Sequence, residues 1–390
     1  MSIAPVLIVS FLLHAFVGWR LAPDIAAAHP WLGLALWALL LLSALLMPAG
    51  FLARRSSRPR LGALLVWSGF LSMGLFSSLF VLTVLRECLL LAGAAVAALW
   101  PPLLALYPSR PDSALAVLAL SLAITALGLV NARRTAAVVR VDVPIAGLPD
   151  ALHGFTVAQI SDIHVGPTIR THYLQRIVSR VNSLGADMVA ITGDLVDGSV
   201  RDLGGHVAPL QGLNSTHGTF FVTGNHEYYS GVDSWTDRLR SLGVRVLMNE
   251  HVVIHHGPGT QDLPCAVLVV AGVTDFGAHR FDSSHQSDPH RAMADAPGHA
   301  AFRLLLAHQP RSAPAAAQAG FDLQLSGHTH GGQFWPWNHF VRLQQPFTAG
   351  LHKLQSLWVY TSRGTGYWGP PKRFGAPSEI THLRLVRAAG

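Results

Sequence analysis

The first third of this chain, about 130 residues built mostly of Leu, Ala, Val, Phe and Trp and broken by few charges, limits most strongly what it can fold into. A bilayer-spanning helix needs about 20 mostly apolar residues. Runs of that size at roughly 3–20, 31–53, 61–85, 88–107 and 114–131 predict a transmembrane region over residues 1–132 with about five spans. A linker over 133–150 and a soluble domain over 151–390 then follow. Trp100-Pro101-Pro102 ends or kinks the fourth run. The first run is short, contains His14, and lacks the basic flank and small-residue cleavage site of a signal peptide. Any one run could be a buried core helix, but several in series read as a multi-pass membrane protein.

Charge sharpens this reading. The only lysines are Lys353 and Lys372, so arginine carries the net charge of +7, with four arginines in Arg54-Arg55-Ser56-Ser57-Arg58-Pro59-Arg60. In a chain of mean hydropathy +0.36 such charge belongs to membrane flanks. No interleaving of aromatic and basic residues suggests a nucleic-acid groove, and no nucleic-acid partner is expected. The positive-inside rule puts Arg54–Arg60 in the cytoplasm. Three further crossings then carry the soluble domain to the outer face. Arg133, Arg134 and Arg140 argue for the cytoplasmic side, and one re-entrant run would reverse the parity. His14 and Arg86-Glu87 are the polar residues within or between spans, with Arg86-Glu87 expected in a short loop. Without a row of intramembrane charges the region reads as an anchor. Cys88 and Cys265 supply neither a disulfide framework nor a thiolate metal site. Nothing in the chain indicates an oligomeric state.

From Phe155 the pattern changes to short apolar runs, each ending in polar or Gly-containing clusters. The runs Phe155–Ile160, Met188–Thr192, Thr219–Thr223, Val267–Val273, Leu304–Ala307, Leu323–Leu325, Leu357–Thr361 and Leu383–Val386 read as buried strands. Between the first two, apolar residues at Leu174, Ile177, Val178, Val181 and Leu184 mark an amphipathic helix, so the segment is an α/β unit. The clusters Ser161–His164, Gly193–Asp197, Gly224–Glu227, Ala307–Gln309 and Ser326–His330 fall at strand C-termini. Ligand sites of open α/β sheets gather there. Glycines before Asp194, Asn225 and His328 are expected to turn the chain sharply off each strand.

Carboxylates, imidazoles and one carboxamide, without thiolates, suit divalent Mn, Fe, Zn, Co or Ni. So many candidates exceed one tetrahedral ion, and two ions sharing a carboxylate fit better. The ordered set Asp162-X-His164, Gly193-Asp194-X-X-Asp197, Gly224-Asn225-His226-Glu227, His308 and Gly327-His328-X-His330 resembles the calcineurin-like metallophosphoesterases over roughly residues 150–387. Gly331-Gly332-Gln333, Asn225–Gly231 and the tail from Ser362 to Ile380 are most similar to the bacterial YkuE/YaeI-type branch. Members similar to that branch include phosphodiesterases and hydrolases of UDP-2,3-diacylglucosamine.

The resemblance implies a four-layer αββα sandwich and a dinuclear centre. It gives Asp162, His164 and His330 to one metal and Asn225, His308 and His328 to the other, with Asp194 bridging. A water or hydroxide between the ions is then the nucleophile. His226 would be the proton donor or an electrostatic clamp, and Glu227 and Asp197 would orient imidazoles. The expected function is a membrane-anchored phosphoesterase cleaving a phosphoester or pyrophosphate bond. A lipid-linked phosphate is the preferred substrate, a soluble phosphodiester the alternative, and a non-catalytic metal or phosphate sensor the competing class.

Outside the motifs, His251, His255 and His256 are expected to be solvent-exposed beside a turn at His256-Gly257-Pro258-Gly259. Residues 275–300, with His279, His285, His290 and His299, read as a mobile surface loop, and Asp275 as a helix cap or a site residue. Arg363 either contacts phosphate or sits in a surface turn. Trp335, Trp337, Tyr367 and Trp368 form a lip or pack normally.

Overall fold

The structure, a computed structural model, describes residues 4–53, 59–100, 109–257 and 265–388. The basic run Arg54–Arg58, Pro101-Pro102 and the turn at Pro258-Gly259 lie outside the described residues. The chain forms two compact units, Met1–Val130 with Gly369–Lys372, and Asn131–Trp368 with Arg373–Gly390.

Among the described residues four helices are long and apolar enough to cross a membrane: α1 (Ala4–Ala28), α2 (Pro30–Ala53), α3 (Pro59–Leu99) and α4 (Arg110–Arg133). Val17, Leu21, Leu36, Leu40, Leu79 and Val117 pack inside, whereas many leucines and Trp31 face outward. Outward leucine suits lipid better than water. The expected third and fourth spans are one continuous helix, α3, of 41 residues. At 1.5 Å per residue that is about 60 Å, twice a hydrocarbon core. Arg86-Glu87 therefore lies inside a helix, not in a loop. Buried Arg86 pairs with Asp24 and Glu87 and donates to Ser113 Oγ at 2.9 Å, while Arg20 pairs with Glu87. Mutual neutralisation lets these charges stay in the helix, so no break is needed. His14 is also satisfied, with Nδ1 2.7 Å from Ser10 O and Nε2 3.1 Å from Ser43 Oγ.

The second unit contains β1 (Ala137–Ile145), β2 (Thr156–Ile160), α5 (Thr171–Asn182), β3 (Met188–Ile191), β4 (Thr219–Phe221), β5 (Arg245–Val246) and β6 (Glu250–His256). It continues with β7 (Ala266–Gly272), β8 (Phe302–Leu306), β9 (Leu323–Ser326), β10 (Gly350–Leu354), β11 (Leu357–Thr361) and β12 (Glu379–Arg387). One sheet runs β1-β12-β2-β3-β4-β5 and the other β10-β11-β9-β8-β7-β6. Strands β2, β3, β4 and β5 are mutually parallel, as are β7, β8, β9 and β11.

Alternation along single strands builds the layers. Met188 and Ala190 of β3 join Leu268, Val270, Leu304 and Leu325 in a core between the sheets. Val189 and Ile191 point the other way, against Leu174, Ile177 and Val181 of α5. Leu305 and Val359 pack on the opposite outer face beside Ala313 and Ala316. The result is helix, sheet, sheet, helix.

Three expectations change here. The linker over 133–150 contains β1, which pairs in parallel with β12 along nine residues, from Ala137↔Glu379 to Ile145↔Arg387. His251 and His256 belong to β6: His251 Nδ1 lies 2.9 Å from Ala292 O, and the His256 ring packs edge-on to Phe155 at 4.9 Å. Residues 275–300 are anchored. Ala278 and Ala292 are buried, and Asn249 donates to Gln286 O and accepts from Asp288 N. Polar side chains that satisfy backbone groups hold this segment where apolar periodicity is missing.

Candidate metal centre

The chemistry-bearing clusters follow the C-termini of β2, β3, β4, β8 and β9, and backbone bonds tie them into one surface. Asp162 N donates to Gly193 O at 3.0 Å, His164 N to Asp194 O at 3.1 Å, and His328 N to Asp162 Oδ1 at 3.0 Å. Gly193 turns with φ +85, as its place after β3 suggests. Gly224 has an ordinary φ of −100, and Gly327 lies outside the left-handed region. Both are needed for approach: a Cβ at Gly224 would stand 2.2 Å from Asp194 Oδ1, and one at Gly327 would stand 2.0 Å from Ser161 Oγ. The left-handed φ values instead fall on Asp162 (53), His164 (55), Asp194 (51), His328 (69) and His330 (52). Non-glycine residues hold that conformation at a cost of about 1–3 kcal/mol each, and such residues cluster at functional sites.

All ten candidates from the sequence meet in this region. Three donor groups form, Asp162–His164–His330, His164–Asp194–His226 and Asp194–His308–His328, with the donor atoms of each within 4.8 Å of one another. Asn225 joins them through its neighbour: His226 N donates to Asp194 Oδ1 at 2.9 Å. The buried Asn225 Oδ1 accepts no hydrogen bond among the described residues.

Electrostatics set the protonation states. Burial raises the Asp194 carboxyl, but His308, His226 and His164 outweigh it, and the group lies well below the usual carboxylate range. Burial likewise opposes, and His164 and His226 overcome, the shift that holds Asp197 ionised. Its Oδ1 lies 3.1 Å from His164 Nδ1 and 2.5 Å from His226 Nδ1, so both rings donate to it. Burial lowers His226, yet Asp194 and Asp197 carry it up to about 9. Among the described residues Glu227 hydrogen-bonds to backbone rather than to an imidazole. It accepts from the backbone N–H groups of Gly224 (2.7 Å), Asp194 (3.0 Å), Leu195 (2.8 Å) and Val196 (3.3 Å). Burial and Asp194 push it up to about 8, while donors that Gly224 and Leu195 supply favour the ionised form. It thereby ties the loop after β3 to the loop after β4.

These residues fit a pair of cations. His308 Nδ1 lies 2.7 Å from Thr192 O and His164 Nδ1 3.1 Å from Asp197 Oδ1, so both rings turn Nε2 toward the cluster. Burial lowers His308, but Asp194 beside its Nε2 holds it well above its usual value, a charge that a bound cation would replace. The two Nε2 atoms face His328 Nδ1 at 3.2 Å and His330 Nε2 at 3.0 Å. Burial and His308 lower His328 to about 3, so it is a neutral donor. Burial, then the Arg373 guanidinium, holds His330 well below its usual value.

Sequence reasoning missed Arg373, because a single arginine after Pro370-Pro371-Lys372 carries no spacing signal. It is fully buried and donates to His330 O and Arg363 O, both at 2.8 Å, and to His330 Nδ1 at 3.1 Å. The single proton of this neutral ring then sits on Nε2, toward His164. Other outlying residues resolve simply. Asp275 accepts from Gly277 N and Gln309 Nε2. Arg363 pairs with Glu379 at 2.8 Å. Tyr367 is core, whereas Trp335, Trp337 and Trp368 are exposed.

Residues 155–332 match the family model of calcineurin-like phosphoesterases. An "Uncharacterized metallophosphoesterase Cj0846" of Campylobacter jejuni is 37% identical over 274 residues, 70% of this chain and 69% of that protein. The chain belongs to the calcineurin-like phosphoesterase family. A "Transmembrane protein with metallophosphoesterase domain" of Danio rerio is 40% identical over 278 residues, 69% of this chain and 62% of the relative. YkuE of Bacillus subtilis is 27% identical over 247 residues, 61% of this chain and 81% of its own. The chain spans 62% and 60% of the length of the Danio rerio and Bos taurus transmembrane relatives. Calcineurin-like phosphoesterases use a dinuclear divalent metal centre, and the Asp/His cluster is the corresponding region here. Four apolar helices and transmembrane relatives mark a membrane protein.

Proposed function

We propose that this protein is a membrane-anchored, metal-dependent phosphoesterase that hydrolyses a phosphoester or pyrophosphate bond in an amphiphilic substrate, a lipid-linked phosphate. The observation carrying the substrate class is an exposed aromatic rim beside His226. Tyr229, Phe281 and Trp368 are 66%, 52% and 40% exposed. Ring centroids of Tyr229 and Trp368 lie 5.5 and 5.9 Å from that of His226, and Phe281 lies 5.4 Å from Tyr229. Gln333 holds Trp368 with two 2.8 Å bonds to its backbone. A contiguous apolar rim around a charged site suits a ligand with a phosphate and an apolar part.

Asp162, His164 and His330 would hold one metal and Asn225, His308 and His328 the other, with Asp194 available to both. When bound, the two ions supply Lewis acidity and an activated water nucleophile. Asp197 fixes the tautomers of His164 and His226 by accepting both Nδ1 protons. His226, cationic at neutral pH, presents Nε2 to the leaving oxygen as proton donor. Glu227 keeps the Asp194 and Asn225 loops in register. Four crossings also put the domain on the same side as Arg54–Arg60, the cytoplasmic face by the positive-inside rule.

The test is an assay of purified full chain with Mn²⁺ in detergent, on bis-p-nitrophenyl phosphate and on a lipid-linked pyrophosphate. Hydrolysis is lost with EDTA and in Asp194→Ala, and Phe281→Ala slows only the lipid reaction. Activity that survives EDTA in Asp194→Ala overturns the metal mechanism. Equal kcat/KM for the lipid and its free headgroup returns the substrate to the soluble class.

A further inference from the structure

The amphipathic helix α5 buries Leu174, Ile177, Val178 and Val181 and turns a polar stripe outward. His172, Arg176, Ser179, Arg180 and Ser183 follow 3.6-residue spacing along that stripe. Together with Thr135 they line an open groove of about 910 Å³ that has no carboxylate in its walls. Arg176 Nε donates to Thr135 Oγ1 at 3.1 Å and Nη2 to Arg133 O at 3.2 Å, and its guanidinium lies 5.4 Å from the centre of the Tyr173 ring. Arg176 is thus pinned to the last residue of α4. Arg180, one turn further, is exposed, and its guanidinium makes no hydrogen bond or ion pair among the described residues, its carbonyl accepting from Ser183 Oγ. A basic residue in a helix's last turn is ordinary compensation for the helix dipole. That accounts for Arg180 alone, not for Arg176 and His172 in the same groove or exposed Arg133, Arg134 and Arg140 along the adjoining chain.

We propose that this groove binds the headgroup of an anionic glycerophospholipid from the adjacent leaflet. Two arginines and a histidine complement a phosphodiester, and the Ser179 and Thr135 hydroxyls are further donors to its oxygens. The source is a lipid because of where the groove lies along the chain. Thr135 is two residues beyond Arg133, the end of a 24-residue apolar helix, and two residues reach at most about 7 Å. The Thr135 end of the groove is therefore held by the chain itself close to the end of that helix. The site is separate from the metal cluster and does not depend on what the enzyme hydrolyses.

Native mass spectrometry of the full chain in non-ionic detergent tests this, with titrations of phosphatidylglycerol, phosphatidylcholine and glycerol 3-phosphate. Phosphatidylglycerol is retained in preference to both others. Arg180→Gln weakens its retention roughly fivefold, and Arg176→Gln/Arg180→Gln further, by about the same factor. Unchanged hydrolysis of a soluble diester by Arg180→Gln reports an intact fold. Equal retention of phosphatidylcholine, or of glycerol 3-phosphate, overturns the lipid assignment. Loss of binding in Arg58→Gln/Arg60→Gln but not in the α5 variants overturns the groove.

Discussion

At the scale of the residue, Asp197 governs two imidazoles with one oxygen. His226 owes its raised value to the surrounding carboxylates against burial, and the 2.5 Å contact to Asp197 is part of that balance. The sign follows directly. A histidine raised to about 9 keeps its proton through neutral pH and loses it as pH climbs through that value. The rate on a substrate with a poor leaving group therefore falls on the alkaline side near pH 9, whereas p-nitrophenolate, which needs no proton, shows no such limb. Asp197→Asn removes one favourable charge, so the limb moves toward neutral pH. It also leaves His164 without its anionic acceptor and lowers metal affinity about 10- to 100-fold. A pH–rate profile on an alkyl phosphodiester, paired with metal analysis, checks both. An unmoved limb in Asp197→Asn would remove His226 as the acid.

At the scale of the element, the loops after β3 and β4 meet at a distance only glycine allows. Gly224→Ala places a methyl 2.2 Å from Asp194 Oδ1, and both neighbours are held by Glu227. The shared carboxylate must move, so bound Mn falls and kcat drops at least about 100-fold, as a 1 Å misplacement does. Far-UV circular dichroism stays that of the parent because the clash is local. The same scale explains what the sequence could and could not disclose. Central strands buried on both faces, such as Met188–Ile191, are uninterrupted apolar runs and are legible. The four strands that escaped, β1, β5, β6 and β10, are the four sheet edges. Their residues, among them Arg140, Asp142, Arg245, His255 and Lys353, are the polar ones that edges carry, so no apolar run marks them. The metal-centre candidates were legible because ligands follow central strands at short spacings. Arg373 and Phe281 were not, since each reaches its neighbours from a distant loop.

At the scale of the whole molecule, the number of crossings decides which compartment meets the domain. Five runs were readable in the sequence because apolarity alone cannot distinguish a loop from a helix that continues through Arg86-Glu87. The pairing of Arg86 with Asp24 and of Arg20 with Glu87 removes the reason for a break, and two runs become α3. A continuous helix crosses once however long it is. On the proposed topology α3 would leave the cytoplasm from Arg54–Arg60 and α4 would return to it, bringing Arg133, Arg134 and Arg140 to the side that basic residues prefer. Both charge clusters agree under four crossings and conflict under five. A green fluorescent protein fused after Gly390 should therefore fluoresce in a bacterial host, while alkaline phosphatase at the same point stays inactive. The opposite pair of results would restore the outer face. It would also require α3 to turn back within the bilayer, and cysteine labelling at residues 85–100 would reveal that turn as an exposed position on the wrong side.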